Sequence, residues 1–401
     1  MKEITVIEPQ FSTKFQCIGS ACREHCCSGW RIALDKPTVN KYLKSKVIDI
    51  RVIANNSIDI IKKNHANWGI VKFNEAGNCA FMDDNRLCGI HAKLGANALS
   101  VTCATYPRAT TSYKTSTLKS LTLSCPEATR LLLDSPDAML LDEQKLLQSG
   151  FNKSPQEQNV NKLLNLMSMH LINASGTQVN HGLYAIALLL LFAKKQGSEV
   201  LNNSQEIESY FSTLIQDIES GEIKHKLDSI ASNNQLQWSL LLRLQAYIDA
   251  NPNTRGLRRL RHFVKRLLYI QVQNIDNNQV SENIVRLDNV WNVKVQPWLE
   301  EHPHVMQNYL LYRLYNDQFP QDSVRTPLSW LYLLTAEWYL IKSLIAATAE
   351  LTGEINKDDV INIIYSFHAV TTHSPAATQA FFDEIDKVKV NDDISLIYLL
   401  K

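Results

Sequence analysis

The sequence predicts a mainly α-helical protein in which a cysteine-rich, irregular, metal-binding N-terminal module precedes an all-α helical domain. Three observations predict it. All eight cysteines, Cys17, Cys22, Cys26, Cys27, Cys79, Cys88, Cys103 and Cys125, fall in the first third of the 401 residues. Six of the thirteen glycines, Gly19, Gly29, Gly69, Gly77, Gly89 and Gly95, lie among them. Beyond about residue 131 apolar side chains recur at helical spacing, and strand-like Val/Ile alternation is weak almost everywhere. The expected division is a cysteine-rich metal or iron–sulfur domain over 1–130 and a helical domain over 131–401.

In the first part, short apolar runs are separated by Gly, Pro, Asn and Ser, and loops that wrap a metal need that backbone freedom. In the second, helices are expected over Glu143 to Leu147, Val160 to Leu171, Leu183 to Lys195, Ser204 to Glu219 and Gln235 to Ala250. Further helices are expected over Arg258 to Gln273, Val305 to Tyr315, Leu328 to Leu351 and Lys357 to His368. Turn residues separate them at Asn-Pro-Asn 251–253, Asp-Asn-Asn 276–278 and Phe-Pro 319–320. No internal repeat is evident. Leu183 to Ala193 is too short to cross a bilayer, and Glu337 and Lys342 interrupt Leu328 to Leu351, so both read as buried helices.

Eight thiols in one segment mean disulfides or metal. The chain opens MKEITVIEPQ, with Lys2 and Glu3 ahead of any apolar run, unlike a secretory leader. A chain this long can bury a sizeable core without covalent staples, and the adjacent Cys26 and Cys27 cannot bridge each other without strain. Metal in a reducing cytoplasm is therefore expected. The spacing Cys17-x4-Cys22-x3-Cys26-Cys27, then Cys79-x8-Cys88, then Cys103 and Cys125, matches neither paired Cys-x2-Cys ribbons nor a Cys-x3-Cys-x2-Cys run. Zinc and an iron–sulfur cluster both stay open, as two tetrahedral sites or one cluster with spare thiols. Net charge is +1, so no overall field draws the molecule to nucleic acid or membrane.

The Cys17 to Cys27 block ends in Cys-Cys. It is followed by Cys79-Ala-Phe-Met82, Cys88-Gly-Ile-His91 and Cys103-Ala-Thr-Tyr-Pro-Arg108. This pattern resembles the cysteine-cluster proteins that chelate zinc or iron. Within that group, the stretch HAKLGANALSVTCATYPR and the long helical part resemble the flagellin lysine-N-methylases, loosely again around His304 to Phe319. The resemblance implies S-adenosylmethionine-dependent methylation of flagellin lysines in a bacterial cytoplasm. It also implies a [4Fe-4S] cluster, or alternatively zinc, on some of the eight cysteines. No Gly-x-Gly pair occurs, so the Gly-rich donor loop of nucleotide-fold methyltransferases is missing and donor binding must fall elsewhere.

Tyr106 and Arg108 are the candidate donor-binding residues, Arg108 as a bidentate clamp on a carboxylate or else a loop anchor. His25 and His91 are read as locally hydrogen-bonded, with ligand roles the sharper alternative. Asp83 and Asp84 are read as a solvated turn. The run Arg255, Arg258, Arg259, Arg261, Lys265 and Arg266 is a solvated helix face or a docking surface for an acidic partner or RNA. Tyr309, Tyr312, Tyr315 and Phe319 have core spacing. Two rival functions remain: metal storage or delivery without methyl transfer, and RNA binding or modification through the basic run.

Overall fold

The computed structural model describes residues 2–148, 153–197, 204–251, 254–273, 280–321, 325–373, 375–390 and 392–401. The expected turn at 276–278, and Pro252 and Asn253 of the turn at 251–253, lie outside the described residues. The protein is mainly helical, as expected, but its N-terminal third is more regular than its glycines suggested. Seven strands lie there: β1 Lys2–Pro9, β2 Ala33–Leu34, β3 Ile58–Ile60, β4 Gly69–Val71, β5 Arg108–Ser112, β6 Ser116–Leu121 and β7 Leu141–Gln148. Most are too short to leave a readable period in the sequence.

These strands form a sheet of order β5-β6-β1-β7 and a smaller one of order β2-β4-β3. β1 and β6 are parallel neighbours, with Val6 opposite Thr117. A parallel pair needs a long crossover. Here that crossover carries seven of the eight cysteines, so both feet of the module stand in one sheet. β7 corrects the helix expected over Glu143 to Leu147, because all eight of its residues pair antiparallel with β1 from Lys2↔Gln148 to Pro9↔Leu141. A five-residue helix barely repays its nucleation, whereas this strand completes a sheet edge, with Lys145 and Glu3 paired at 3.0 Å.

Two cores result. The smaller gathers Ile32, Leu34, Tyr42, Ile50, Ile58 and Phe81 beneath the three-stranded sheet, and Cys79 is buried in it. The larger joins Phe11, Leu121, Leu123 and Leu132 to the helices that follow. At its centre runs the helix Pro327–Thr352, buried almost all round from Leu331 to Ala349. Its start is set by Pro327 and by the Thr326 side chain, which accepts from Ser329 N at 3.1 Å. Tyr309, Tyr312, Tyr315 and Phe319 are buried, and Tyr315 Oη donates to Ile7 O (2.9 Å) and Lys119 O (3.1 Å), pinning the sheet to the helix His304–Asn316. Helices Glu222–Asp228, Val280–Val290, Gln296–Glu301 and Pro375–Val388 had no clear signal in the sequence. Among the described residues no helix is long and apolar enough to cross a membrane.

The buried polar groups of this core set a pH dependence. His368 lies between Tyr309 Oη (3.3 Å from Nε2) and Thr372 Oγ1 (3.0 Å from Nδ1). Burial, then the charges of Arg313 and His373, hold its pKa well below the ordinary histidine value. A depressed folded pKa means that the unfolded chain takes up the proton first. The contribution is therefore fully present above about pH 6.5 and is lost as pH falls toward the folded pKa, by up to ~1.4 kcal/mol per pH unit. We expect the melting temperature to fall between pH 7.5 and 5.5, and His368→Gln to flatten that dependence. An unchanged slope in the variant would remove His368 as its source.

Candidate functional site

The cysteines sit on loops and at helix starts. Cys17 and Cys22 flank the single turn Gly19–Ala21, and Cys26 and Cys27 precede the tight turn at Gly29. Cys88 and Cys125 cap the helices Gly89–Leu94 and Pro126–Asp134, and Cys103 lies in the first turn of Val101–Thr105. Cys79 N donates to Cys27 O at 2.7 Å, joining the first cysteine block to the second.

All eight converge. Every cysteine but Cys79 lines one pocket of about 370 Å³, and Cys79 is buried behind it. Two sets are distinguishable. Cys27, Cys79, Cys88 and Cys103 pack on the smaller core, whereas Cys22 and Cys125 feel the charge of Arg255. Cys26 is the link: a hydrogen bond from Cys27, and then Arg255, bring it down to about 6 against the cost of burial. Burial pushes Cys79 up to about 12 and Cys125 to about 11. The same bond to Cys26 pushes Cys27 upward. At neutral pH, then, the arrangement favours a thiolate on Cys26 and thiols deeper in. Among the described residues no three His, Cys, Asp or Glu side chains stand as a group able to hold a metal ion.

In the sequence Arg255 opens the basic run; in the structure it is buried beside the thiols. Its backbone N–H donates to Gly29 O at 2.9 Å, and Gly256 N donates to Glu24 Oε1 at 2.9 Å, clamping the cysteine loop to the helix Leu257–Val272. The guanidinium donates to Tyr106 Oη, lies 5.2 Å from the Tyr106 ring, and reaches Glu24 O at 3.3 Å. Burial opposes its charge, but Tyr106, Glu24 and Cys125 outweigh burial and hold its pKa above the ordinary arginine value. Tyr106 thereby lines the same pocket. Arg108 is exposed at the rim, over the Phe15 ring at 5.5 Å.

Three further residues were not legible. Ser124 Oγ lies 3.1 Å from Tyr106 Oη and 2.7 Å from His373 Nε2, and Trp30 packs on Tyr106 (5.3 Å) and His373 (5.8 Å). Burial, then Arg255, lowers the His373 pKa, so this line of polar groups ends in a neutral imidazole. His25 differs from its expected local hydrogen bond. Its Nε2 is buried without a partner among the described residues, as is Arg255 Nε, and both residues line the pocket. His91 lines it too, while Asp83 accepts from Leu87 N at 2.8 Å in the expected exposed turn.

The pocket thus brings together a concentrated set of thiols, a buried arginine and aromatic rings, with a neutral histidine beside them. The comparisons with known proteins show the family. The chain matches the FliB lysine N-methylase C-terminal domain over residues 165–399. It is 38% identical over 401 residues, the whole of both chains, to the lysine-N-methylases of Salmonella typhimurium (strain LT2) and Salmonella choleraesuis (strain SC-B67). It is 54% identical over 146 residues to the flagellar biosynthetic protein FliU of Salmonella muenchen, covering 36% of this chain and 86% of that protein. No solved structure matches. The chain belongs to the FliB lysine N-methylase family and is a protein-lysine methyltransferase.

Proposed function

We propose that the enzyme transfers the methyl group of S-adenosylmethionine to lysines of flagellin in the bacterial cytoplasm, at the thiol-lined pocket. The observation that carries this reading is the convergence of seven cysteines from separate segments on a pocket that also holds Arg255, with Cys79 buried behind it. The flagellar names of the relatives support flagellin as the acceptor.

The chemistry of the donor set, soft thiols and the unpartnered, buried His25 Nε2, is that of a metal centre, while among the described residues no three of these side chains are yet grouped around one point. Cys17, Cys22, Cys26 and Cys125, with Cys27, Cys79, Cys88 and Cys103 behind them, are the residues that would hold it. When bound, a [4Fe-4S] cluster would offer a coordination position for the donor's amino-carboxylate, whereas zinc in the same thiols would be structural. Arg108 at the rim is the candidate clamp for that carboxylate, and Tyr106 the candidate wall beneath the donor.

The acceptor must arrive as a neutral amine, and removing the proton from a free lysine at pH 7 costs roughly 4–5 kcal/mol. Arg255 disfavours a second cation beside it and so lowers that cost. Ser124 and His373 extend from Tyr106 as a path for the departing proton. Trp30 and Tyr106 present ring faces to a sulfonium or methylammonium group.

The test is iron, sulfide and zinc analysis of anaerobically purified protein, with absorption spectra before and after adding the donor, alongside mass spectrometry of flagellin incubated with both. Iron with matching sulfide, a spectrum perturbed by the donor, and methylated flagellin lysines are expected. Zinc alone in a colourless, active enzyme would remove the cluster from the reading. Unmethylated flagellin with a fully loaded centre would remove the acceptor.

A further inference from the structure

We propose that a second cavity, directly beside the thiol pocket, is a docking groove for an acidic polypeptide segment flanking the acceptor lysine. This rests on the reading above that the acceptor is a protein. The groove measures about 1000 Å³, and Arg255 and Glu24 line both it and the pocket. The groove and the pocket therefore share the Glu24 and Arg255 wall at which the chemistry is placed.

Its charge is one-sided. Arg23 comes from the cysteine loop, and Arg258, Arg259, Arg261 and Lys265 from the first nine residues of the helix Leu257–Val272, while Glu24 and Asp359 are its acidic lining residues. Arg23 is spent on Asp358 (3.0 Å) and Arg261 on Asp249 (3.1 Å). Among the described residues Arg258, Arg259 and Lys265 form no ion pair. Arg259 lies 5.7 Å over the Tyr365 ring, while Arg258 and Lys265 are exposed. In a chain of net charge +1, such a concentration is a local feature with a direction, and it points an anion at the pocket's edge.

The chemistry favours a peptide over RNA. Grooves for single-stranded nucleic acid interleave cations with several exposed aromatic platforms, whereas here Phe263 is buried and the His262 imidazole alone among the lining rings is exposed. Glu24 and Asp359 would also repel a continuous phosphate backbone, but leave room for carboxylates spaced along a chain. The acceptor lysine is itself cationic before reaction. The groove thus repels lysine-rich segments and selects a lysine set beside acidic residues, giving choice among lysines without contact to the amine.

The experiment is fluorescence anisotropy with a fluorescein-labelled Glu-Ser repeat peptide, compared with a Lys-Ser repeat and an oligouridine of equal charge number. Binding of the acidic peptide is expected, with loss between roughly 0.05 M and roughly 0.5 M salt. Arg258→Glu/Lys265→Glu is expected to weaken it about tenfold, and Arg258→Ala/Lys265→Ala by less. Both positions are exposed, and circular dichroism checks that the variants fold. Tighter binding of the oligouridine, no binding of the peptide, or binding indifferent to both variants would each overturn the proposal. Peptide binding by a protein that fails to methylate flagellin would leave the groove standing and remove the methylation reading instead.

Discussion

Replacing Arg255 with Gln is expected to reduce lysine methylation by two orders of magnitude or more and to loosen the cysteine loop. Arg255 is only 6% exposed and donates to Tyr106 Oη and Glu24 O. A hydrogen bond to a charged group is worth about 1.5–3 kcal/mol, so losing two amounts to a factor of at least ~10². Burial alone would punish the charge, and what retains it is the ring and hydroxyl of Tyr106 together with Glu24 and the thiols. Gln has neither the charge nor the guanidinium fork, so Cys26 should also lose part of what stabilises its thiolate. Arg255→Lys keeps the charge without the fork and is expected to recover part of the activity. Methylation kinetics, with alkylation rates of the loop thiols as a second readout, decide the matter. A Gln variant with unchanged turnover and unchanged thiol reactivity would show that Arg255 holds neither the site nor the loop.

How much of this site the sequence disclosed depended on the kind of signal. The cysteines were legible because their chemistry lies in residue type, and their grouping in one segment survives any folding. Tyr106 was legible through the motif after Cys103. Arg255 is legible only as the first cation of a basic run, because Arg258, Arg259 and Arg261 follow it closely. In fact Gly256, at φ +78, starts the helix after it and turns Arg255 inward. Ser124 and His373 meet only through tertiary packing across 249 positions of sequence, which no local pattern records. The same holds for β7, where pairing with β1 overrode a weak helical period. The long helices, by contrast, carry their period through many turns, and Pro327–Thr352 contains the expected Leu328 to Leu351.

The close approach of two backbones at Gly29 yields the other large expected effect. Gly29 has φ +71, and a Cβ there would lie 2.5 Å from Arg255 N and 2.8 Å from Arg255 Cα. Both are main-chain atoms, so no side-chain rotation relieves the clash. Gly29→Ala must therefore separate the loop from the helix start and break the Arg255 N–H to Gly29 O bond. The left-handed conformation costs an L-residue about 1–2 kcal/mol, and overpacking adds about 1–3. Gly77 is the matched control: its φ is +75, but a Cβ there meets nothing within 4 Å. Gly77→Ala thus pays the conformational cost without the clash. Because the loop can detach while both cores stay folded, the melting temperature should change less than local protection does. Hydrogen exchange over residues 17–30 and maleimide labelling of Cys22 and Cys26 are expected to rise sharply in Gly29→Ala and little in Gly77→Ala, with methylation lost only in the former. Equal behaviour of the two variants would mean that the thiols are held by their own module, and that its junction with the helix start does not organise the site.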